Sequence, residues 1–273
     1  MKSLILLLST LLLATAPATA RATDTFITVA STTSTRDSGL LAYLLPLFEA
    51  KTGIEVRVVA VGTGRALKLG EHGDADVVLV HARAAEDRFM AAGYGLLRRD
   101  VMYNDFVIVG PKADPAGIHG VKRATHAFRQ LATRKATFLS RGDDSGTHKA
   151  ERRIWKAAGI DPTPASGTWY RETGNGMGAT LNTAAELDAY TLVDRGTWLS
   201  FRNRRDLVIE VEGDPPLHNP YGIMIVNPKL HPSVKVDASR KFVDWITSAE
   251  GRKAINAFHV DGQQLFHATG SQP

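Results

Sequence analysis

The sequence predicts an α/β protein built from two lobes, each a doubly wound layer of strands and helices. Three observations support this prediction. Short runs rich in β-branched residues alternate with segments whose apolar residues recur at helical spacing. The alternation starts again after Gly110-Pro111. No stretch after the first 20 residues approaches the roughly 20 apolar residues that a membrane-spanning helix needs.

The individual elements follow from apolar spacing and from helix breakers. Residues 26–30 (FITVA) form a strand, a polar run at 31–38 forms a loop, and leucines at helical spacing then lead to Gly53, a helix stop. Residues 76–80 (DVVLV) are almost continuously apolar, as parallel strands covered on both faces tend to be, so we expect a mostly parallel sheet. Further strands are expected at 55–61, 106–109, 137–139, 190–193, 207–211 and 221–226, and helices at 65–70, 84–92, 121–134, 144–158, 178–188 and 239–258.

The first 20 residues have the features of a secretory signal peptide. Lys2 precedes an apolar run from Leu4 to about Ala14, and small residues suited to cleavage occupy 18–20. Removing this segment leaves a net charge near +4, because it contains one lysine and no acid. The chain contains no cysteine, so neither disulfides nor lipoprotein acylation is expected. We therefore expect an exported monomer, free in the periplasm.

Two stretches rich in glycine or proline, 110–120 and 212–220, are the expected crossings between the lobes. On this division, residues 21–110 and 217–273 form the first lobe and residues 111–216 form the second. The chain then makes two hinge crossings, and its last segment returns to the first lobe.

Four junctions combine small or hydroxyl residues with the expected start of a helix. Backbone N–H groups at a helix start lack helical partners and carry partial positive charge, so such junctions suit anions. The first junction, residues 31–35 (STTST), has five consecutive hydroxyl residues where a helix cap needs one. The second, residues 62–64 (GTG), has glycines that let backbone amides approach a ligand, although glycine turns after strands are also common.

The third junction, residues 140–147 (SRGDDSGT), carries the strongest signal. Ser145, Gly146 and Thr147 offer hydroxyl and amide donors, and Arg141 offers a charged fork suited to oxyanions. In a purely structural interpretation, Arg141 pairs with a nearby aspartate and Ser145 caps the helix; both interpretations can hold together. The fourth junction, residues 174–178 (GNGMG), places Met177 beside glycines that indicate either backbone contact with a ligand or a flexible loop.

Enzyme and nucleic-acid functions find little support in the sequence. It contains no G-x-S-x-G elbow, no G-x-x-x-x-G-K-[ST] loop and no H-E-x-x-H helix. The nine histidines do not cluster at metal-ligand spacing, and basic and aromatic residues are not interleaved as in RNA-binding proteins. We therefore expect no cofactor, no metal ion and no nucleic acid. One alternative is a secreted hydrolase or transferase that uses Ser145 or His148, which requires a base within hydrogen-bond reach of the hydroxyl.

The junctions resemble segments of the periplasmic tungstate-binding proteins of ABC importers, and the similarity runs over nearly the whole mature chain. The resembling segments are STTSTRDSGLL (31–41), VGTGRAL (61–67), GDADVVLVHA (73–82), VMYNDFVIVGP (101–111), SRGDDSGTH (140–148), GMGATL (176–181) and AYTLVDRGTWL (189–199). That family is usually recognised by a Thr-Thr-Thr-Ser run in the first loop. Here Ser31 replaces the first threonine, so the hydroxyl is kept.

The resemblance implies a type II periplasmic-binding fold, in which two α/β lobes close on a ligand. It implies tungstate as the ligand, with molybdate as an alternative, and the permease of an ABC transporter as the partner. It also implies binding by Thr32, Thr33, Ser34, Thr63 and Arg141. The Arg-x-x-x-Ser-Gly-Thr spacing further resembles the phosphate-binding relatives, where an aspartate accepts the proton of bound phosphate.

The donors at the junctions bear on the charge of the ligand. No proton-accepting aspartate is evident, and the strand at 76–80 leads instead into His81 and Ala82. A site made only of donors favours a fully deprotonated dianion, because a buried phosphate proton would face no acceptor. Residue types do not separate tungstate from molybdate, and sulfate and phosphate remain alternatives on the same scaffold.

Overall fold

The structure, a computed structural model, describes residues 26–270. The expected signal peptide lies outside these residues. The strands are β1 (Phe26–Thr32), β2 (Glu55–Val61), β3 (Val77–Val80), β4 (Gly95–Pro111), β5 (Phe138–Ser140), β6 (Tyr170–Glu172), β7 (Tyr190–Asp194), β8 (Leu207–Val211), β9 (His218–Val226), β10 (His259–Val260), β11 (Gln263–Gln264) and β12 (His267–Ala268). The helices are α1 (Thr33–Asp37), α2 (Leu40–Thr52), α3 (Thr63–His72), α4 (Arg83–Ala91), α5 (Ala124–Arg134), α6 (Gly146–Ala157), α7 (Met177–Glu186), α8 (Arg195–Ser200), α9 (Val236–Ile246) and α10 (Ala249–Ala257).

Ten strands form one mixed sheet in the order β2-β1-β3-β9-β4-β7-β5-β6, with β8 and β12 also paired to β4. The pairs β1–β2, β1–β3, β5–β6 and β5–β7 are parallel. The pairs that β4 and β9 form with each other and with β3, β7, β8 and β12 are antiparallel. The fold is the α/β class expected, but the expectation of a mostly parallel sheet is wrong in its centre.

Strand β4 joins the two halves of the sheet. Its residues from Gly95 to Asp105 pair with β9, and its residues from Phe106 onward pair with β7 and β8. The sequence indicated a strand only at 106–109, because the first part of β4 is largely exposed or half-buried and lacks an apolar run. The chain leaves the second half of the sheet after β8 and rejoins the first half at β9. The division into lobes at residues 110 and 217 remains a prediction.

The helices pack on this sheet through two clusters of buried side chains. The larger cluster surrounds β1, β3 and β9 and includes Phe48 and Phe242, whose ring centroids lie 5.1 Å apart. The second cluster joins α5, α6 and β5, where Phe128 and Trp155 are 4.3 Å apart. Because these clusters hold the helices against the sheet, they position the junctions at which helices follow strands. Among residues 26–270, no helix is long and apolar enough to cross a membrane.

Two expected elements are wrong in detail. The long helix expected at 239–258 is broken into α9 and α10, because the Ser248 side chain caps α10 by accepting from the Gly251 amide at 3.2 Å. A Cβ on Gly251 would overlap the carbonyl oxygen of Trp245, so the turn between the helices is tight. The polar run expected as a loop forms the short helix α1, because the Thr32 side chain caps it.

Candidate functional site

Three of the four junctions meet through close approaches between neighbouring chain segments. A Cβ on Gly64 would overlap the Asp144 carboxylate, so the start of α3 lies directly against the third junction. A Cβ on Gly146 would overlap the imidazole of His81, which follows β3. His81 in turn lies 3.4 Å from the Ser34 hydroxyl, measured from Nε2. The first, second and third junctions therefore surround one cleft.

The first junction presents a cluster of buried hydroxyl groups. Thr32 Oγ1 lies 3.1 Å from Ser34 Oγ and 2.6 Å from Thr35 Oγ1, and it accepts from the Thr35 amide. Ser31 differs from its neighbours, because its hydroxyl donates to the Leu79 carbonyl in the adjacent strand. Thr33 is half-buried and lines a cavity beside the first junction. Thr32 and Ser34 thus combine a local capping role with positions suited to a ligand.

The fourth junction faces the first junction across a cavity. Thr33, Ser34, Gly176 and Met177 line a cavity of about 390 Å³, together with the start of α7 and the end of α8. Met177 is the first residue of α7, and its side chain is buried. The structure therefore brings the fourth junction to the first through this cavity.

The third junction carries a buried arginine with one carboxylate partner. Arg141 Nη2 donates to Asp143 Oδ2 at 2.5 Å. Asp143 Oδ1 also accepts from the Ser145 amide at 3.2 Å. Ser145 Oγ caps α6 by accepting from the His148 amide at 3.2 Å. The structural roles considered for Arg141 and Ser145 are therefore present, while other groups of both residues remain free to bind a ligand.

Three buried donors near the junctions have no hydrogen-bond partner among residues 26–270. They are Thr63 Oγ1, Arg141 Nε and Thr147 Oγ1. The three residues are 0%, 3% and 2% exposed, respectively. Leaving a buried polar group unpaired costs about 1–3 kcal/mol, so three such groups in one region need a physical reason. A ligand with several acceptor oxygens supplies that reason.

The charged groups around the cleft have defined protonation preferences. Burial lowers the pKa of His81 to about 4, the hydrogen bond with Asn219 opposes this shift, and the charge of Arg141 adds to it. His81 is therefore neutral at pH 7. Burial raises the pKa of Asp194, although its hydrogen bonds with Thr197 and the charge of Arg141 oppose the rise. Both oxygens of Asp194 accept from Thr197, at 2.9 and 2.6 Å, so this carboxyl group caps α8.

The geometry does not favour the hydrolase alternative at Ser145. Among the described residues, the hydrogen bond to Ser145 Oγ comes from the His148 backbone, not from a basic side chain. The imidazole of His148 instead accepts from the Asp144 amide through Nδ1, at 3.1 Å. Within residues 26–270, no group of three or more His, Cys, Asp or Glu side chains is placed to hold a metal ion.

His81 and Asn219 are cleft residues that the sequence did not identify. His81 Nδ1 lies 2.9 Å from Asn219 Oδ1, and the ring stacks on Tyr221 with 4.7 Å between centroids. The sequence did give one signal for His81, which directly follows a fully buried strand. That position was considered for a proton-accepting aspartate, and the sequence has a histidine there. Asn219 offered no signal, because its proximity depends on the antiparallel return of β9.

Comparisons with known proteins agree with this geometry. Residues 14–250 match the profile of the PBP superfamily domain. The chain is similar to an anion-binding protein of an ABC transporter from Haloferax volcanii, described as putative, with 51% identity over 88% of this chain and 71% of the relative. It is also similar to the tungstate-binding protein TupA of Peptoclostridium acidaminophilum, with 48% identity over 88% of this chain and 84% of the relative.

A solved structure gives the same result in three dimensions. The tungstate ABC transporter structure from Geobacter sulfurreducens superimposes with a TM-score of 0.78 at 56% identity. The superposition covers 85% of this chain and 98% of that chain. The shared fold therefore extends over most of this chain.

Proposed function

Because the chain belongs to the PBP superfamily, we propose that it captures tungstate in the cleft between its lobes and delivers it to an ABC importer. The tungstate-binding relatives support this ligand, and they are transport proteins rather than enzymes. The proposal therefore concerns binding and release, without a chemical step.

The observation that carries the proposal is the group of three unpaired buried donors at Thr63, Arg141 and Thr147. Each belongs to a junction at the start of a helix, α3 or α6. A tetrahedral oxyanion presents four oxygens in different directions, so it can accept from donors on several elements at once. Each hydrogen bond to a charged group contributes about 1.5–3 kcal/mol. Binding the oxyanion also gives the unpaired donors a partner, which removes the cost of leaving them buried and unpaired.

The proposed binding residues come from both lobes. Thr32, Thr33, Ser34 and Thr63 belong to the first lobe, and Arg141, Ser145, Gly146, Thr147 and Met177 belong to the second. The Ser145 amide already donates to Asp143, and Ser145 Oγ accepts from the His148 amide. We therefore assign ligand donation to the Ser145 hydroxyl and to the Gly146 amide at the start of α6. Met177 contributes the start of α7 at the wall of the cavity.

Closure of the lobes follows from this division of the donors. A ligand stabilises a closed state only to the extent that it binds that state more tightly than the open state. An oxyanion that touches Thr63 on one side and Thr147 on the other makes both contacts only when α3 and α6 are close. The close approach of Gly64 to Asp144 is consistent with this closed arrangement.

Directed donors, more than net positive charge, support a dianion as the ligand. Arg141 lies beside the Asp143 carboxylate and under the influence of Asp194, so its positive charge is already partly compensated. Selection of the dianion then depends on directed donors as well as on net charge. Tungstate and molybdate have the same charge and shape, and the names of the relatives favour tungstate.

The cellular context is part of the same proposal. The resemblance of residues 1–20 to a signal peptide, together with the transporter relatives, supports export to the periplasm. There the closed protein would dock as a monomer on the permease of the importer.

Competitive calorimetry with tungstate, molybdate, sulfate and phosphate tests the proposal. The mature chain is titrated with each anion alone and then with tungstate in the presence of each competitor. We expect tungstate to bind at one site per chain and to be displaced more readily by molybdate than by sulfate or phosphate. Stronger binding of sulfate or phosphate than of tungstate would contradict the proposed ligand.

A further inference from the structure

A chain of four buried polar side chains links strands β4 and β9 to the cleft. Asn219 Nδ2 donates to Asn104 Oδ1 at 2.6 Å, where Asn104 lies on β4 and Asn219 on β9. Asn219 Oδ1 faces His81 Nδ1 at 2.9 Å, and His81 Nε2 faces Ser34 Oγ at 3.4 Å. All four residues are buried. The direction in which this chain donates its protons decides whether Ser34 offers a donor or an acceptor to the cleft.

The orientation of the two amides leaves one donor without a partner. Asn104 Nδ2 is buried and has no hydrogen-bond partner within residues 26–270. A carboxamide keeps its shape when its oxygen and nitrogen exchange places, so its orientation is decided by the network around it. Turning both amides lets Asn104 Nδ2 donate to Asn219 Oδ1. The atom left unpaired is then a carbonyl oxygen, which is tolerated in protein interiors more often than an unpaired N–H.

The reversal fixes the tautomer of His81. Asn219 Nδ2 now donates to His81 Nδ1, so the single proton of the neutral imidazole resides on Nε2. The hydroxyl of Tyr221, 3.5 Å from the Asn219 amide, can donate to the amide oxygen in this arrangement. Burial and the Arg141 charge lower the pKa of His81. In the turned arrangement Nδ1 accepts from Asn219, so the Asn219 hydrogen bond no longer opposes this shift, and a second ring proton is absent at pH 7.

We propose that the relay Asn104–Asn219–His81–Ser34 donates in one direction, and that His81 is thereby a positioning residue that excludes protonated oxyanions from the cleft. This inference rests on the proposed function. With His81 Nε2–H donating to Ser34 Oγ, the Ser34 hydroxyl is left to donate, toward the ligand or toward Thr32 Oγ1 at 3.1 Å. A fully deprotonated dianion accepts that bond, whereas the proton of hydrogen phosphate meets another donor.

The opposite direction has a different chemical meaning. If the proton were on Nδ1, the bare Nε2 would accept from the Ser34 hydroxyl. Ser34 would then present an acceptor to the cleft, and Ser34, His81 and Asn219 would have the connectivity of a nucleophile, a base and an orienting amide. The two directions therefore predict different ligands from the same arrangement of side chains.

Nitrogen-15 NMR of the histidine rings distinguishes the directions in the mature chain without any ligand. Long-range correlations between ring nitrogens and carbon-bound protons identify which nitrogen of His81 is protonated, with the resonance assigned by its absence in His81→Gln. We expect a protonated Nε2 and a bare Nδ1 at pH 7. A protonated Nδ1 overturns the relay. This result is independent of tungstate affinity, so failure of the proposed function would leave it readable.

The variant His81→Gln adds a functional test. Glutamine reaches Ser34 but can turn either its nitrogen or its oxygen toward the hydroxyl, so Ser34 regains the ability to accept. We expect the ratio of tungstate affinity to phosphate affinity at pH 7 to fall by roughly five- to tenfold, the effect of about one hydrogen bond. His231→Gln is the matched control. The His231 ring lies away from the cleft, and its Nε2 is 2.8 Å from the Glu71 carbonyl oxygen. An unchanged tungstate-to-phosphate ratio in His81→Gln overturns the role assigned to His81.

Discussion

Replacing a buried threonine by valine removes the hydroxyl and keeps the shape of the side chain. In Thr63→Val and Thr147→Val, the hydroxyl that is lost has no partner among the described residues. The ligand-free protein therefore loses no hydrogen bond, and it is relieved of a buried polar group that costs about 1–3 kcal/mol. We expect the free energy of unfolding without ligand to stay unchanged or to rise by up to this amount.

The same substitutions have the opposite effect on binding. Each removes a hydrogen bond to a charged oxyanion, worth about 1.5–3 kcal/mol, so the dissociation constant for tungstate should rise roughly 10- to 150-fold. Urea unfolding measures the first effect and calorimetry the second. Thr191→Val is the matched control, because its buried hydroxyl donates to the Leu139 carbonyl at 2.8 Å and its loss should lower stability without changing affinity. Unchanged tungstate affinity in both test variants would refute the assignment of these hydroxyls to the site.

Further predictions concern charge, closure and pH. Arg141→Ala should weaken tungstate binding by about 1.5–3 kcal/mol in calorimetry, whereas Arg202→Ala, which removes an exposed ion pair, should leave it unchanged. Gly146→Ala should weaken binding at least tenfold, because the added methyl group overlaps the His81 ring; equal affinity would exclude a tight closed contact. Tungstate at 100 times its dissociation constant should raise the melting temperature by roughly 5–11 °C, whereas nitrate at that concentration should not. Burial raises the pKa of Glu151 to about 7, so the folded state favours its protonated form and stability is lost as pH rises from 4.5 through 7. In urea unfolding, Glu151→Gln should therefore have a higher free energy of unfolding than the wild type at pH 8, by on the order of 3 kcal/mol, and a similar one at pH 5. An equal difference at both pH values would contradict the buried neutral carboxyl group.

The sequence was sufficient to predict the α/β class and the positions of most helices. These features depend on local apolar spacing and on caps such as Gly53, which is indeed in the left-handed conformation at the end of α2. The structure also places the predicted residues of the first and third junctions around one cleft. Their assignment as ligand contacts remains a proposal, since it depends on a bound anion.

The antiparallel centre of the sheet was not predictable from local patterns. The first part of β4 carries charged residues and is stabilised as a strand by pairing with β9, more than 100 residues later in the chain. The same pairing brings Asn219 beside Asn104 and His81. A strand partner that distant leaves no periodic signal in either segment.

The break between α9 and α10 shows a different limit. Apolar residues continue at helical spacing through the break, so periodicity favoured one long helix. The cap formed by Ser248 and the close packing of Gly251 against the Trp245 carbonyl depend on three-dimensional contact. Serine within a helical pattern is compatible with either outcome.

The most direct test of tungstate binding between the lobes is a crystal structure of the mature chain grown with tungstate, in which anomalous scattering locates the tungsten atom. We predict one tungsten atom between α3 and α6, with its oxygens at hydrogen-bond distance, about 2.7–3.2 Å, from Thr63 Oγ1, Arg141 Nε and Thr147 Oγ1. Tungsten bound elsewhere, or bound in the cleft while these three donors remain unpaired, would contradict the proposed site.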